Sequence, residues 1–145
     1  MIVLRTATVE DADAIAALFS ASFRLLTFLP ELHSVEEDRD FIGNVVLPGQ
    51  RVTVAGHEGR IVGFIAEEKG WIDHLYVAPD ALGLGVGSAL LVNAKSRQPE
   101  LTLWCFAENS RARAFYEKHG FVAVEFGDGS GNEARRPDVR YLWRA

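Results

Sequence analysis

The chain has a single cysteine, Cys105, among its 145 residues. One cysteine cannot form a disulfide within the chain, and so low a content is typical of proteins from a reducing compartment. Cys105 lies in an apolar stretch, which favours a role in core packing over a role as a nucleophile. The sequence therefore predicts a cytoplasmic protein.

Long apolar segments and dense clusters of basic residues are also missing. No apolar run reaches the ~20 residues that a helix needs to cross a bilayer, and residues 1–6 do not resemble the start of an export signal. The formal net charge is −5 at pH 7. Because a negative protein without a lysine or arginine stripe binds polyanions weakly, we expect no nucleic acid and no membrane among its partners.

The residue types that build metal centres are scattered. The four histidines lie far apart, no His-Glu-x-x-His motif occurs, and one cysteine cannot form a thiolate cage. No serine lies in a Gly-x-Ser-x-Gly motif, which disfavours a serine hydrolase. The sequence predicts no metal site.

What the sequence does contain is the pattern of one α/β domain over residues 1–145. Its length fits a single domain, and 48% hydrophobic with 24% charged residues is a balance that supports a packed core. The apolar periodicity predicts a strand, two helices, three strands in a meander, then helix, strand, helix and two strands. The unit from Trp71 to Phe106 should be a right-handed crossover between parallel strands.

Short motifs mark the ends of these elements. Thr8 with Asp11, and Ser34 with Glu37, each place a hydroxyl three residues before an acid, which is the capping box of a helix start. Pro48 should end the second helix. Residues 56–59 should form the turn of a hairpin.

Three alternating glycines, Gly83, Gly85 and Gly87, lie between the apolar strand Trp71 to Val77 and a helix predicted from Ser88. Glycine lets the main chain take positive φ and approach a ligand closely, and the N–H groups of a helix start favour an anion. The pattern predicts a phosphate site at the carboxyl end of the strand. A tight turn without a ligand is the alternative.

Two well-known phosphate loops fit this segment badly. A Walker A loop needs a lysine directly after its last glycine, but Gly87 is followed by Ser88 and Ala89. A dinucleotide fingerprint follows its strand directly, whereas Pro79 and Asp80 intervene here. Both ATP hydrolysis and dinucleotide binding are therefore disfavoured.

The region from His74 to Phe121 resembles two signatures of the GNAT superfamily of acyl-CoA-dependent N-acyltransferases. Leu75 to Pro79 followed by Gly83 to Gly87 resembles the acyl-CoA signature, and a weaker similarity runs from Leu4 to the end of the chain. The second signature is matched by Asn109, Ala112, Phe115, Tyr116, Glu117, Lys118, Gly120 and Phe121. One departure is Leu82, where family loops usually have Gln or Arg.

The resemblance implies a mixed, mostly antiparallel sheet with a central parallel strand pair and about four helices. It also implies acetyl-CoA as the co-substrate, with its pyrophosphate on the glycine loop and its pantetheine arm between two splayed strands. The residues implied to bind it are Leu75, Tyr76, Val77, Gly83, Leu84, Gly85, Val86, Gly87, Ser88 and Asn109.

Two residues acquire catalytic roles from the resemblance. Tyr116 would protonate the departing thiolate, and Asp73 would accept the proton of the amine or bind it. In a regular strand His74 points to the face opposite Asp73, so we expect it to pack beneath a helix. Glu67 and Glu68 are weaker candidates for the base.

The implied function is transfer of an acetyl group to a primary amine, on a small molecule or a peptide, by direct attack in a ternary complex. A non-catalytic CoA sensor and a nucleotide-dependent enzyme are the alternatives.

We expect the acceptor pocket between residues 23–33, 67–71 and 127–137, with Phe28, Trp71 and Phe126 as wall candidates. Asp128, Glu133 and Asp138 favour a cationic acceptor. A homodimer is a further expectation, because relatives often use their final strands for dimer contacts.

Overall fold

Seven strands form one sheet in the order β1-β2-β3-β4-β5-β7-β6 in the computed structural model, which describes residues 1–145. Only β4 and β5 are parallel; every other neighbouring pair is antiparallel. The predicted mixed sheet is therefore confirmed. The strands are β1 Val3–Thr6, β2 Arg51–His57, β3 Arg60–Glu68, β4 Trp71–Val77, β5 Glu100–Phe106, β6 Val122–Gly127 and β7 Asp138–Arg144.

Four helices cover the sheet, as predicted. The second is continuous but composite, because α2 runs through a π-helical segment, Ile42–Val46, into the short α3. Pro48 lies in α3, where its missing N–H and its ring disturb the preceding turn, and the wider π turns lie immediately before it. The four helices are α1 Ala12–Phe23, the composite helix of α2 Val35–Phe41 and α3 Leu47–Gly49, α4 Val86–Lys95 and α5 Ser110–Lys118.

The capping boxes read from the sequence form as expected. The main-chain N–H of Glu37 donates to Ser34 Oγ over 3.1 Å, and the N–H of Ser34 donates to the Glu37 carboxylate over 3.0 Å. The hairpin turn is tighter than predicted. Only Glu58 and Gly59 form it, both with positive φ, because two left-handed residues match the twist of the flanking strands.

The helices lie on opposite faces of the sheet. The Phe19 ring of α1 packs edge-on against Tyr76 of β4 with 5.1 Å between centroids. The next residue, Val77, points to the other face, toward Gly87 of α4. The α4 face also carries α5, whose Phe115 ring lies against Gly87. None of these helices has the length and the apolar surface that a membrane span requires.

Gly63 of β3 determines how closely α4 approaches the sheet. A Cβ at this position would lie 2.7 Å from Val86 Cγ1 and 3.2 Å from Leu90 Cδ1. Both are fully buried residues of α4, and Val86 is its first residue. The absence of a side chain at Gly63 therefore places the start of α4 beside the end of β4.

We predict that Gly63→Ala destabilises the fold by about 1–3 kcal/mol, because the added methyl overpacks the contact between β3 and α4. Urea unfolding monitored by circular dichroism measures the change. Gly49→Ala is the matched control, because nothing lies within 4 Å of a Cβ at Gly49. Equal stability of Gly63→Ala and the wild type would contradict this account of α4.

Candidate active site

The parallel strands β4 and β5 pair at one point only. Trp71 lies opposite Thr102, and the N–H of Thr102 donates to Gly70 O over 2.9 Å. Beyond that pair the strands separate and leave a gap, the splay cavity, of about 200 Å³. Its walls include Leu75 of β4, Cys105 of β5 and Tyr116 of α5.

The separation leaves main-chain groups of β4 without strand partners. The N–H of Ala78 donates to Val62 O of β3 over 2.8 Å, and Tyr76 lies opposite Phe64 of the same strand. Because main-chain groups alternate between the two edges of a strand, those of Leu75 and Val77 face the gap. The Tyr76 main chain faces β3 instead, so this residue contributes only to the wall of the gap.

The glycine loop ends in a helix start with unpaired amides. Gly83 and Gly85 have φ of 88° and 82°, and the first helical hydrogen bond runs from Ala89 N to Gly85 O. No protein acceptor pairs with the N–H groups of residues 85–88, which lie at the positive end of the helix dipole. The helix begins at Val86, two residues earlier than predicted, because the left-handed Gly85 already precedes it.

A cleft of about 700 Å³, here called the main cleft, joins this loop to the splay cavity. Its volume is in the range of sites for drug-sized ligands. Nearly all residues expected to bind the cofactor line it, namely Leu75, Tyr76, Val77, Gly83, Gly85, Val86, Gly87, Ser88 and Asn109. Asn109 also caps α5, since its side chain accepts from Ala112 N.

Leu84 departs from the expectation. It does not line the main cleft, its side chain is half exposed, and its N–H points to Ala81 O within the turn. Leu82 does line the cleft, as an apolar residue.

Two cations of the main cleft were missed by the sequence reasoning, Arg111 and Lys118 of α5. With Phe115 they follow the spacing i, i+4, i+7, which places them on one face of a helix. That spacing was visible in the sequence, but only the packing of α5 beside α4 shows that this face borders the glycine loop.

Tyr116 lines both the splay cavity and the main cleft. Burial raises its phenol pKa well above the usual value, so the hydroxyl keeps its proton at neutral pH. A protonated hydroxyl at the junction of two cavities can donate a proton to a group bound there.

Asp73 is the extra residue of a β-bulge. Its neighbours Ile72 and His74 lie opposite consecutive residues of β3, Glu67 and Ala66. Bulges redirect side chains and are frequent beside active sites. The Asp73 carboxylate accepts a hydrogen bond from Gln50 Nε2 over 2.9 Å, and Asp73 lines the splay cavity. Burial and the nearby Glu68 raise its pKa, while the bond from Gln50 lowers it.

His74 packs beneath α1 and α2, as expected. Its ring lies 5.8 Å from that of Phe19 and 5.6 Å from that of Phe41, between centroids. Burial lowers the pKa of this imidazole to about 4, so it is neutral near pH 7. The premise of a regular strand was wrong, however, because the bulge at Asp73 interrupts the alternation.

The remaining nucleophile and base candidates are engaged elsewhere. Burial raises the pKa of the Cys105 thiol to about 12, which disfavours a thiolate. Glu67 is buried and pairs with Arg97 over 2.5 Å. Glu68 borders neither cavity, although it acts on Asp73 through its charge.

A third space of about 820 Å³, here called the acidic cavity, lies between α1, α2 and the segment that joins them. Residues 23–33 contribute much of its wall, as expected. His33 Nε2 lies 2.6 Å from the carboxylate of Glu133, which joins this wall to the loop between β6 and β7. The acidic residues of the wall are Glu31, Glu37, Asp38, Asp40 and Glu133.

Other parts of the expected acceptor wall lie elsewhere. Residues 67–71 do not border the acidic cavity, and Trp71 and Phe126 are exposed at the surface. Phe28 lines the main cleft and packs edge-on against Phe106. Trp71 lies at the start of β4 and Phe126 in the edge strand β6, and neither borders the acidic cavity.

Comparison with known protein families gives independent evidence on the family of the chain. A family model described as an acetyltransferase (GNAT) domain matches residues 48–123. This segment is just over half of the chain and runs from Pro48 through the glycine loop and α5.

Two curated relatives from Escherichia coli strain K12 are similar to the chain. The peptidyl-lysine N-acetyltransferase YjaB is 40% identical over 76 residues, which cover 52% of this chain and 52% of YjaB. The peptidyl-lysine N-acetyltransferase YiaC is 33% identical over 69 residues, 47% of each chain. The chain thus spans about half the length of the curated relatives that it matches.

Solved structures match over nearly the whole length. The solution structure of apo-form YjaB from Escherichia coli has a TM-score of 0.83 at 28% identity, covering 99% of this chain and 97% of that one. PaiA N-acetyltransferase from Thermoplasma acidophilum, in complex with coenzyme A, has a TM-score of 0.75 at 18% identity, covering 100% and 99%, which shows a shared fold. The family match, the splayed parallel strands and the glycine loop agree, and the chain belongs to the GNAT superfamily of acetyltransferases.

Proposed function

We propose that this protein is an N-acetyltransferase that moves an acetyl group from acetyl-CoA to a primary amine, with residues 1–145 acting as one catalytic domain. The observation that carries the proposal is the open edge of β4, whose free main-chain groups continue directly into the unpaired amides of the glycine loop. A ligand with a diphosphate attached to a chain of amides matches both parts of this surface. The diphosphate fits the amides of the glycine loop, and the chain of amides fits the edge of β4.

The cofactor contacts follow from the main cleft. The amides of residues 85–88 bind the pyrophosphate. The main chain of Leu75 and the N–H of Val77 pair with the pantetheine arm, since the Val77 carbonyl already accepts from Ser22. Asn109 lies beside the arm at the start of α5. Arg111 and Lys118 add positive charge where the phosphates lie, which offsets the net negative charge of the protein.

The chemistry takes place in the splay cavity. The amine nitrogen attacks the thioester carbon, so a C–N bond forms as the C–S bond breaks. Tyr116 donates its proton to the departing sulfur, and its hydroxyl can do so because burial keeps it protonated at neutral pH. Asp73 accepts the proton that the ammonium must lose before it attacks, directly or through water. The nitrogen loses a second proton once the C–N bond has formed, and that proton restores the Tyr116 phenol. The pKa of the Asp73 carboxyl is raised toward the neutral pH range, which makes the carboxylate a stronger base.

The acceptor enters from the acidic cavity. Its five carboxylates outnumber its two basic residues, Arg24 and His33, and so attract a cation; a protonated amine is cationic until it reaches the base. YjaB and YiaC are named peptidyl-lysine N-acetyltransferases, and we infer that a lysine side chain, within a peptide or as a small molecule, is the acceptor class here.

The proposal also covers the cellular location and the oligomeric state. The single buried cysteine fits a cytoplasmic location, because thiols stay reduced there. A homodimer that uses the last strands fits the edge position of β6, where Val122 and Phe126 are exposed.

Thiol release from acetyl-CoA in the presence of a panel of amines tests the function. We expect turnover with lysine peptides or cationic amines. Tyr116→Phe should lower the rate about 10²-fold or more while the protein still binds acetyl-CoA, because only proton donation is lost. Tyr141→Phe is the control: it removes a buried phenol that is bonded to Arg113 and Glu117 and does not line the splay cavity, so it should cost stability and not rate.

Tight binding of acetyl-CoA without turnover of any amine would instead indicate a CoA sensor. An unchanged rate in Tyr116→Phe would remove the acid assignment.

Asp73 generates a prediction about pH. If its carboxylate is the base, the acidic limb of the profile of kcat/KM against pH follows its pKa. Gln50→Leu removes a bond that stabilises the carboxylate, so the limb should move to higher pH. Glu68→Gln removes a repelling charge, so the limb should move to lower pH. Shifts in the same direction, or none, would exclude Asp73 as the base.

The two cations of α5 generate a prediction about binding. Arg111→Ala and Lys118→Ala should each weaken CoA binding about two- to fivefold at low salt and less at high salt, because exposed charges are screened. Isothermal titration calorimetry measures the affinity. Arg144→Ala is the control, since Arg144 pairs with Glu100 at the far end of the sheet. An equal loss in the control would contradict the placement of the phosphates.

A further inference from the structure

One residue of the segment that follows α1 touches all three spaces of the active site. Leu26 lines the acidic cavity, the splay cavity and the main cleft, and no other residue lines all three. Two other leucines of the segment border one space each: Leu25 lines only the main cleft, and Leu29 lines only the acidic cavity.

The Leu26 main chain is held in place by the turn that it belongs to. Its N–H donates to Phe23 O over 3.0 Å, and its carbonyl accepts from Leu29 N over 2.9 Å. The end of α1 is itself attached to β4, because Ser22 Oγ donates to Val77 O over 2.9 Å. The half-buried Leu26 side chain therefore has a fixed position relative to the gap between the strands.

The splay cavity is the smallest of the three spaces, at about 200 Å³ against about 700 and 820 Å³. It is below the range of sites that hold drug-sized ligands. Leu103 and Cys105 of β5 form an apolar wall from the sheet side, and both are almost fully buried. These residues belong to the sheet and to the core, so that wall cannot recede.

The acyl group must occupy this small space under the proposed function, because only there does it meet both Tyr116 and Asp73. An acyl chain longer than acetyl has to extend from the splay cavity toward one of its neighbours. Leu26 lies at the point where the three spaces meet, and it is the only apolar residue of the wall that does not belong to β4, β5 or α5.

We propose that Leu26 is the specificity-determining residue for acyl length, its side chain closing the splay cavity so that acetyl fits and butyryl does not. This inference rests on the proposed transfer reaction. Removing the side chain opens the splay cavity toward the acidic cavity, and a longer chain can then pass between them.

The test is a series of acetyl-, propionyl- and butyryl-CoA with one amine that the wild type accepts. Leu26→Ala should raise the ratio of kcat/KM for butyryl-CoA over acetyl-CoA about tenfold or more, because each methylene in an apolar pocket changes selectivity about 10–200-fold. Leu26→Val should raise it less, and Leu26→Phe should lower the ratio of propionyl-CoA over acetyl-CoA.

Leu25→Ala and Leu29→Ala are the matched controls, because each removes a leucine of the same segment that borders one space only. Both should keep the wild-type ratio, whatever their effect on overall rate. A ratio unchanged in Leu26→Ala and in Leu26→Val, or raised equally in the controls, would overturn the proposal.

A binding measurement separates this inference from the function on which it rests. The affinities of butyryl-CoA and acetyl-CoA, determined by calorimetry without an amine, should differ in the wild type and converge in Leu26→Ala. Absence of turnover with every acyl donor would refute the transfer reaction, while convergent affinities would still support Leu26 as the limit on acyl length. Equal affinities in the wild type would refute the role of Leu26.

Discussion

The separation of β4 from β5 after a single residue pair is the constraint on which the whole site depends. A main-chain amide that lacks a partner inside a protein is costly, so an open strand edge is retained only where something else pairs with it. Ser22 satisfies one such group, the carbonyl of Val77. The remaining groups face a cleft that also ends at a helix N-terminus, and this combination defines the ligand chemistry.

Each of the two strands remains stable because its other edge is paired, apart from the bulge at Asp73. β4 forms a ladder with β3, and β5 forms one with β7 over its whole length, from Glu100 to Phe106. β7, which lies between β5 and β6, therefore stabilises β5 on the side away from the gap. On the α4 face, Gly63 allows the helix to approach, so that the glycine loop meets the end of β4.

Basic and acidic side chains lie on opposite sides of the gap between β4 and β5. The main cleft carries Arg111, Lys118 and the positive end of the α4 dipole, whereas the acidic cavity has an excess of carboxylates. This arrangement would attract the proposed anionic donor and cationic acceptor to opposite sides of the same small cavity. The net charge of −5 conceals this division, because it sums over both sides.

The sequence by itself determined the local features: both capping boxes, the extent of β4, the glycine loop, the final helix and the alternating order of strands and helices. These depend on residues close together in the chain, whose main-chain preferences act without the rest of the protein. Only the tertiary structure decided that Asp73 lies in a bulge, that Leu84 turns away from the cleft, that Arg111 faces the glycine loop and that Leu26 joins three cavities. Each of these depends on strand register or on packing between segments far apart in the chain, which local propensity does not specify.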